Sequence, residues 1–261
     1  MRYTLFLLTS VISTGEVKRT KRRVLEPIRT TMTGILDKKD LEAKADAIVE
    51  RIHTYLDAGE KVFTTSSFQS QSLPLLYMIS RVGRNIPVYY TNTGFLYPET
   101  VRFTDQLKQD LGLNVIALRP ETPKIKQLDN AGRFLYASDP DHCCYLNKVQ
   151  PLEPVLMEHN IWINGVRADQ SSVRGAMAEE EAASHCCMRY HPMLNWDSKM
   201  VYYYRKYHDL PEHPLEAQGY LSIGCEPCTS KAGEGNERNS RWFGMNKTEC
   251  GLNTTLVAGG N

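Results

Sequence analysis

The middle of this chain alternates short β-branched or aromatic runs, polar loops and amphipathic stretches. Lys61-Val62-Phe63-Thr64-Thr65 reads as a strand, followed by a polar loop over Ser66–Ser72 and a helix over Leu73–Val82, with Pro74 allowed in its first turn. Pro87-Val88-Tyr89-Tyr90 is a second strand ending in Thr91-Asn92-Thr93-Gly94, with a helix over Pro98–Leu111 and a strand over Asn114–Leu118 behind it. Ile161-Trp162-Ile163 is a further strand, ending at Gly165. Ahead of all these, Leu41, Ala45, Ile48, Ile52 and Leu56 form one helical stripe, with Asp40 as its expected N-cap and Gly59 as its stop. Strand, loop, helix, strand in this order builds right-handed βαβ units, so the expected fold class is α/β with a parallel sheet. Ligands of such sheets bind beyond the carboxyl ends of the strands, which is where the polar loops fall.

The chain has 261 residues, 41% of them hydrophobic, enough for one sizeable core. Three segments are expected: an N-terminal extension over residues 1–40, a main domain over 41–229 and a mobile C-terminal tail over 230–261. The formal net charge of +1 gives no global attraction to nucleic acid or an anionic membrane. No stretch reaches the ~20 apolar residues of a membrane span. The basic run Lys18–Arg23 follows the apolar start, the reverse of a signal peptide, although an Arg-rich, acid-poor start also has the composition of an organelle transit peptide. Seven cysteines in a chain of this length point to a reducing compartment, expected to be the cytoplasm, and not to a disulfide framework. The sequence leaves a homo-oligomer open.

Five of the cysteines carry chemical meaning. Cys143 and Cys144 are adjacent, Cys225 and Cys228 form C-x-x-C, and Cys250 stands alone between Glu249 and Gly251. Two pairs of thiolates suit zinc or an iron–sulfur cluster. Adjacent cysteines are awkward for one zinc ion and easier for a cluster whose irons are spread out, so a cluster is the favoured reading and zinc the other. Cys250, on its Gly-flanked tail, is a candidate nucleophile. Cys186-Cys187 lacks a second pair at matching spacing and reads as spare thiols.

Other loops are weaker signals. Ser66, Ser67 and Gln69 belong to a hydroxyl- and amide-rich strand–helix loop that suits a phosphate but equally reads as a helix cap. Thr93 and Gly94 end a strand where a ligand can approach the backbone, or form an ordinary turn. Lys148, Arg167, Arg174, Arg238 and Arg241 are candidate anion contacts, with Gly165 and Trp242 beside two of them, if they converge in space. Taken singly, each cation reads as a solvated surface charge.

Taken together, these motifs resemble the assimilatory adenylyl-sulfate and phosphoadenylyl-sulfate reductases. The resemblance rests on Ser66-Ser67-Phe68-Gln69, Asn92 to Thr100, Cys143-Cys144, Gly165-Val166-Arg167 with Asp169-Gln170-Ser171, Gly219 to Thr229, and Glu249-Cys250-Gly251-Leu252, in order along the chain. It implies an adenine-nucleotide α-hydrolase-like fold and reduction of an activated sulfate to sulfite, with thioredoxin or glutaredoxin as a separate electron donor. It further implies a four-iron four-sulfur cluster on Cys143, Cys144, Cys225 and Cys228, and Cys250 as the nucleophile that carries an S-sulfonate. The cluster cysteines favour adenylyl sulfate over its 3′-phosphorylated form.

The sequence departs from the family at Asn253, where His is usual, and at Asn147 and Ser230, where Arg is common. These positions bear on secondary anion contacts and leave the cysteines untouched. Two readings compete: a zinc-stabilised nucleotide-binding or adenylating protein, and a binding protein with structural cysteines. The first lacks the Ser-Gly-Gly-x-Asp-Ser loop of related folds, and it leaves Cys250 unexplained.

Overall fold

The computed structural model describes residues 36–231, 240–242, 244, 245, 247 and 249–253. The N-terminal segment over 1–35, Arg238 and most of the loop expected over Lys231–Ser240 lie outside the described residues.

Helix α1 (Lys38–Asp57) buries Leu41, Ala45, Ile48 and Ile52, the stripe legible in the sequence, with Tyr55 in place of the half-buried Leu56 as its last buried member. It begins earlier than expected. Asp37, not Asp40, is the N-cap, its carboxylate accepting from the Lys39 N–H, and Asp40 sits in the first turn, where its charge favours the positive end of the helix dipole. The N-terminal boundary expected at residue 40 therefore falls inside a packed helix. Leu36 is buried and its carbonyl accepts from the Tyr207 hydroxyl at 2.7 Å.

Strands β1 (Val62–Thr65), β2 (Pro87–Thr91), β3 (Asn114–Leu118) and β4 (Ile161–Asn164) and helices α2 (Leu73–Arg81) and α3 (Pro98–Asp110) fall within a residue or two of expectation. Four further short helices follow β3 and flank β4: α4 (Leu135–Ser138), α5 (Pro140–Cys144), α6 (Glu153–Glu158) and α7 (Ser172–Gly175). Strands β5 (Glu180–Ala182) and β6 (Met188–Tyr190) and helix α8 (Ser198–Tyr207) complete the fold. The six strands lie in the order β3-β2-β1-β4-β6-β5. All neighbours are parallel except β5, which runs antiparallel on β6.

The order reverses between β1 and β4, whose pairing sets Thr65 opposite Asn164. A crevice opens at the carboxyl ends of the strands beside such a reversal. One face of the sheet packs against α1, α2 and α8 through Ile52, Leu76, Met78, Ile163 and Tyr204. The other face packs Phe63 and Trp162, with rings stacked 6.1 Å apart, against Val149, Leu152 and Leu156. Full burial of such side chains stabilises the fold by roughly 1.5–3 kcal/mol each. Among the described residues no helix is long and apolar enough to cross a membrane.

His213 ties the segment after α8 to this scaffold. Its backbone N–H donates to Ser70 Oγ at 2.7 Å, and its Nδ1 accepts the Leu215 N–H at 3.2 Å. Nδ1 is thus an acceptor, and Nε2 carries the proton and donates to Thr100 Oγ1 at 3.0 Å. Burial pushes the ring pKa down to about 4 from 6.5. The unfolded chain therefore binds the extra proton between these values, and folding stability falls as pH drops through that window. The predicted loss, complete below about pH 4, is about 3 kcal/mol from this group, and it is removed by His213→Gln; urea unfolding of both proteins at pH 7, 5.5 and 4.5 measures it.

Candidate active site

The cysteine pair sits at the end of α5, which Asp139 caps by accepting the His142 N–H at 3.0 Å. Successive helical residues point about 100° apart, so Cys143 and Cys144 stand side by side along one edge. A π-helical turn over Tyr145–Val149 then widens the helix and brings Lys148 inward, buried beneath the site. Asn147 in this turn donates to the Cys143 carbonyl at 2.8 Å and lies 3.6 Å from its Sγ, while exchanging two hydrogen bonds with Gln127. The residue that departs from the family pattern is thus a buried brace for the first cysteine.

The C-x-x-C segment is strapped to the loop after β2. The Glu226 N–H donates to the Phe95 carbonyl at 2.7 Å, and Cys228 N–H closes the turn onto Cys225 O at 3.0 Å. Thr93 accepts the Phe95 N–H on its hydroxyl oxygen, leaving its own proton for Cys225 Sγ at 3.3 Å. Cys143, Cys144, Cys225 and Cys228 consequently line one cavity, walled by Phe95, Tyr136, Pro140, Pro227 and Trp242.

Four thiols from two distant segments in an apolar cavity, with a hydroxyl and an amide aimed at sulfur, match the donor set of an iron–sulfur cluster. Among the described residues no three His, Cys, Asp or Glu side chains gather as ligands of a single metal ion. Burial, and then the neighbouring thiols, push Cys143 up to about 12, and the same two causes push Cys228 up to about 11. Such a set ionises together only around positive charge, which iron would supply.

A larger cleft lies at the carboxyl ends of β1, β2 and β4 and shares Lys148, Cys225 and Trp242 with the cysteine cavity. Ser66, Ser67, Gln69, Gly165, Arg241 and Cys250 also line it. The Ser66 loop is held by its own side chains. Ser66 Oγ accepts the Phe68 N–H at 3.0 Å, and Phe68 is buried with φ at +53°, a strained value for a bulky residue. Gln69 reaches across to accept the Ile223 N–H at 2.8 Å, fixing the wall that leads into Cys225.

Arg241 forms an isolated bridge with Thr229, donates from Nε to the Cys228 carbonyl at 3.2 Å and stacks on the Trp242 ring at 4.7 Å. Its guanidinium covers Gly224 so closely that a Cβ there would have to push it aside.

Cys250 faces Lys148, with Nζ 3.7 Å from Sγ. Burial opposes ionisation of Cys250, but the Lys148 ammonium, the Leu252 N–H and the Arg241 guanidinium outweigh it, and the thiol pKa falls below its ordinary value. Lys148 moves in the complementary direction. Burial favours its neutral form, yet Cys250, Cys225 and Cys144 hold it protonated. Burial thereby raises the thiol pKa of Cys143, Cys144 and Cys228, while the neighbouring cations lower that of Cys250.

Three expected contacts lie elsewhere. Arg167 does not line the cleft. Its guanidinium is 2% exposed and engaged by Asp169 at 2.9 Å, Ser198 Oγ at 2.9 Å and Gln71 Oε1 at 3.1 Å. Thr93 belongs to the cysteine cavity. Gly94, at φ +75°, makes the turn after β2 and accepts from Lys124 Nζ through its carbonyl at 3.4 Å. Arg238 is outside the described residues. Arg174, one of the candidate anion contacts, lines the cleft; Asn164 and Gln170 line it without being singled out in the sequence, and buried Arg189 reaches the tail near it.

If Lys148 sets the ionisation of Cys250, Lys148→Met raises the pH midpoint of Cys250 alkylation and slows the reaction at pH 7. Arg241→Gln moves it the same way. Iodoacetamide labelling with peptide mapping across pH 6–10 measures both shifts.

Comparison with known proteins identifies the fold and the family. Residues 61–231 match the phosphoadenosine phosphosulfate reductase domain. The chain is 38% identical over 221 residues to an adenosine 5′-phosphosulfate reductase of Chelativorans sp. (strain BNC1), covering 83% of this chain and 89% of that one. It is 36% identical over 199 residues to a phosphoadenosine 5′-phosphosulfate reductase of Gloeobacter violaceus, covering 74% and 83%. Among solved structures, phosphoadenylyl-sulfate reductase from Candida auris superposes with a TM-score of 0.60 at 21% identity, covering 76% of this chain and 98% of that one. Yeast FAD synthetase shares the fold at a TM-score of 0.51 and 13% identity, covering 76% and 70%. The fold is therefore of the adenine-nucleotide α-hydrolase-like kind, and the chain belongs to the phosphoadenosine phosphosulfate reductase family.

Proposed function

We propose that this chain reduces adenylyl sulfate to sulfite and AMP in sulfate assimilation, with Cys250 as the nucleophile. The observation that carries the reading is Cys250 Sγ lying 3.7 Å from a buried ammonium in a cleft that shares a wall with four further cysteines.

The nucleotide fits the crevice between β1 and β4, with its phosphosulfate toward Lys148 and Arg241. The Cys250 thiolate attacks the sulfate sulfur. An S–S bond forms, the S–O bond to phosphate breaks, and its electron pair leaves on AMP. Lys148 and Arg241 balance the anionic oxygens gathered in this step. A thiolate of a separate dithiol protein, thioredoxin or glutaredoxin, then attacks Cys250 Sγ, and sulfite departs with the electron pair of the S–S bond. The donor's second thiol resolves the mixed disulfide and restores Cys250. Two electrons from the donor dithiol thus account for the reduction of sulfate to sulfite. A four-iron four-sulfur cluster on Cys143, Cys144, Cys225 and Cys228 would bind the two segments together, and its thiolates would be balanced in part by Lys148. Thiol chemistry of this kind suits a reducing, cytoplasmic setting.

The unphosphorylated nucleotide is favoured because the cations lining the cleft are few. Among the described residues they are Lys148, Arg174 and Arg241, and Glu249 engages Arg174. A 3′-phosphate calls for a cation of its own, and the loop over Ser66–Ser72 carries none.

Incubation with adenylyl sulfate alone is expected to trap one sulfonate on Cys250, seen by intact mass and peptide mapping. Cys250→Ser forms none, yet retains its iron and binds nucleotide. An adduct on Cys186 or Cys187, or faster labelling by the 3′-phosphorylated nucleotide, overturns the corresponding part of the proposal. The cluster is tested separately: Cys144→Ser should lose most iron and inorganic sulfide after anaerobic purification, and full retention removes Cys144 from the ligand set.

A further inference from the structure

Body side chains grip the tail on both sides of Cys250. Before it, the Glu249 carboxylate receives Arg174 Nε at 3.1 Å and Nη2 at 2.8 Å, a two-bonded fork in which both side chains are buried. Ser171 Oγ adds a third donor at 3.3 Å. The same carboxylate accepts the Cys250 N–H at 2.9 Å, so the group that Arg174 holds also fixes the backbone of the nucleophile. After it, Arg189 lies buried over the Trp162 ring at 4.5 Å and donates from Nη2 to the Leu252 carbonyl at 3.1 Å and to Asn253 Oδ1 at 3.0 Å. Between these grips the chain rests on Cys144, so close that a Cβ on Gly251 would come within 3.1 Å of the Cys144 Cβ.

A buried ion pair adds little net stability, because desolvation offsets attraction, but removing one partner strands a charge. The guanidinium fork also fixes direction, which an ammonium does not. The Arg174 fork before Cys250 and the two Arg189 Nη2 bonds after it determine where the segment sits more than how stable the fold is.

We propose that Arg174 and Arg189 are positioning residues for the nucleophile: together they hold Cys250 Sγ against Lys148 for sulfonation. The proposal rests on the reading of Cys250 as nucleophile. It gives Arg174 a partner in the tail instead of a direct part in anion binding. It also accounts for Asn253, whose carboxamide oxygen accepts from Arg189 where the family usually has an imidazole.

The test separates the two half-reactions in the full-length, cluster-loaded protein. In Glu249→Gln and in Arg189→Lys, single-turnover sulfonation of Cys250 at saturating adenylyl sulfate should slow on the order of 10–100-fold, the scale of a misplaced reacting atom. The nucleotide concentration for half-maximal rate should change by about twofold or less, and discharge of preformed adduct by a small dithiol should not slow. Hydrogen exchange in the peptide spanning residues 247–253 should speed up in both variants without nucleotide. Wild-type sulfonation rates, equal slowing of both half-reactions, or unchanged exchange would each overturn the proposal. Absence of an adduct in the wild-type protein would instead refute the nucleophile reading, and exchange alone would then decide whether the grip exists.

Discussion

A buried ammonium organises this site. Lys148 is drawn out of water by the π-helical turn after α5, and the sulfurs of Cys144, Cys225 and Cys250 surround it. These come from a helix end, a strapped turn after α8 and the tail. One charge thus brings together three segments far apart in the sequence. The same charge separates the roles of the cysteines, since it lowers the pKa of Cys250 while burial and mutual repulsion keep Cys143 and Cys228 high. An unpaired buried cation is costly, so Lys148 and Cys250 stabilise one another in their charged forms.

The polar residues beside β4 extend this dependence to the tail. Asp169 accepts the Ser198 N–H at the start of α8 and pairs with Arg167. Arg167 and Gln170 meet on Gln71, and Gln170 accepts from Arg174, which holds Glu249. A continuous hydrogen-bonded path therefore runs from the first turn of α8 to the residue before Cys250. Such networks are worth most when every member is satisfied, which explains why the Arg167 to Ser171 motif is so dense in polar side chains although Arg167 never reaches the cleft.

Much of the architecture was legible from pattern alone. The stripe of α1 follows the helical period, and β1 to β4 stand out as short β-branched and aromatic runs between polar loops. The three-residue strands β5 and β6 are too short to show a period. The tyrosines of α8, with their strand preference, obscured a helix that packing against α1 and α2 decides. The helices between β3 and β4 are single turns set by caps and tertiary contact and carry no amphipathic stripe.

The sequence by itself determined the α/β class and, through residue type and spacing, the two cysteine pairs and the isolated thiol of a Gly-flanked tail. Only the tertiary structure decided which charges serve the site. Arg167 and Arg174 look alike in sequence, yet the former is enclosed by Asp169 and Ser198 and the latter by Glu249, while Arg189, in an unremarked strand, holds the tail. The physical reason is that a charge acts through its nearest countercharge, and which group is nearest across a hundred residues depends on the fold.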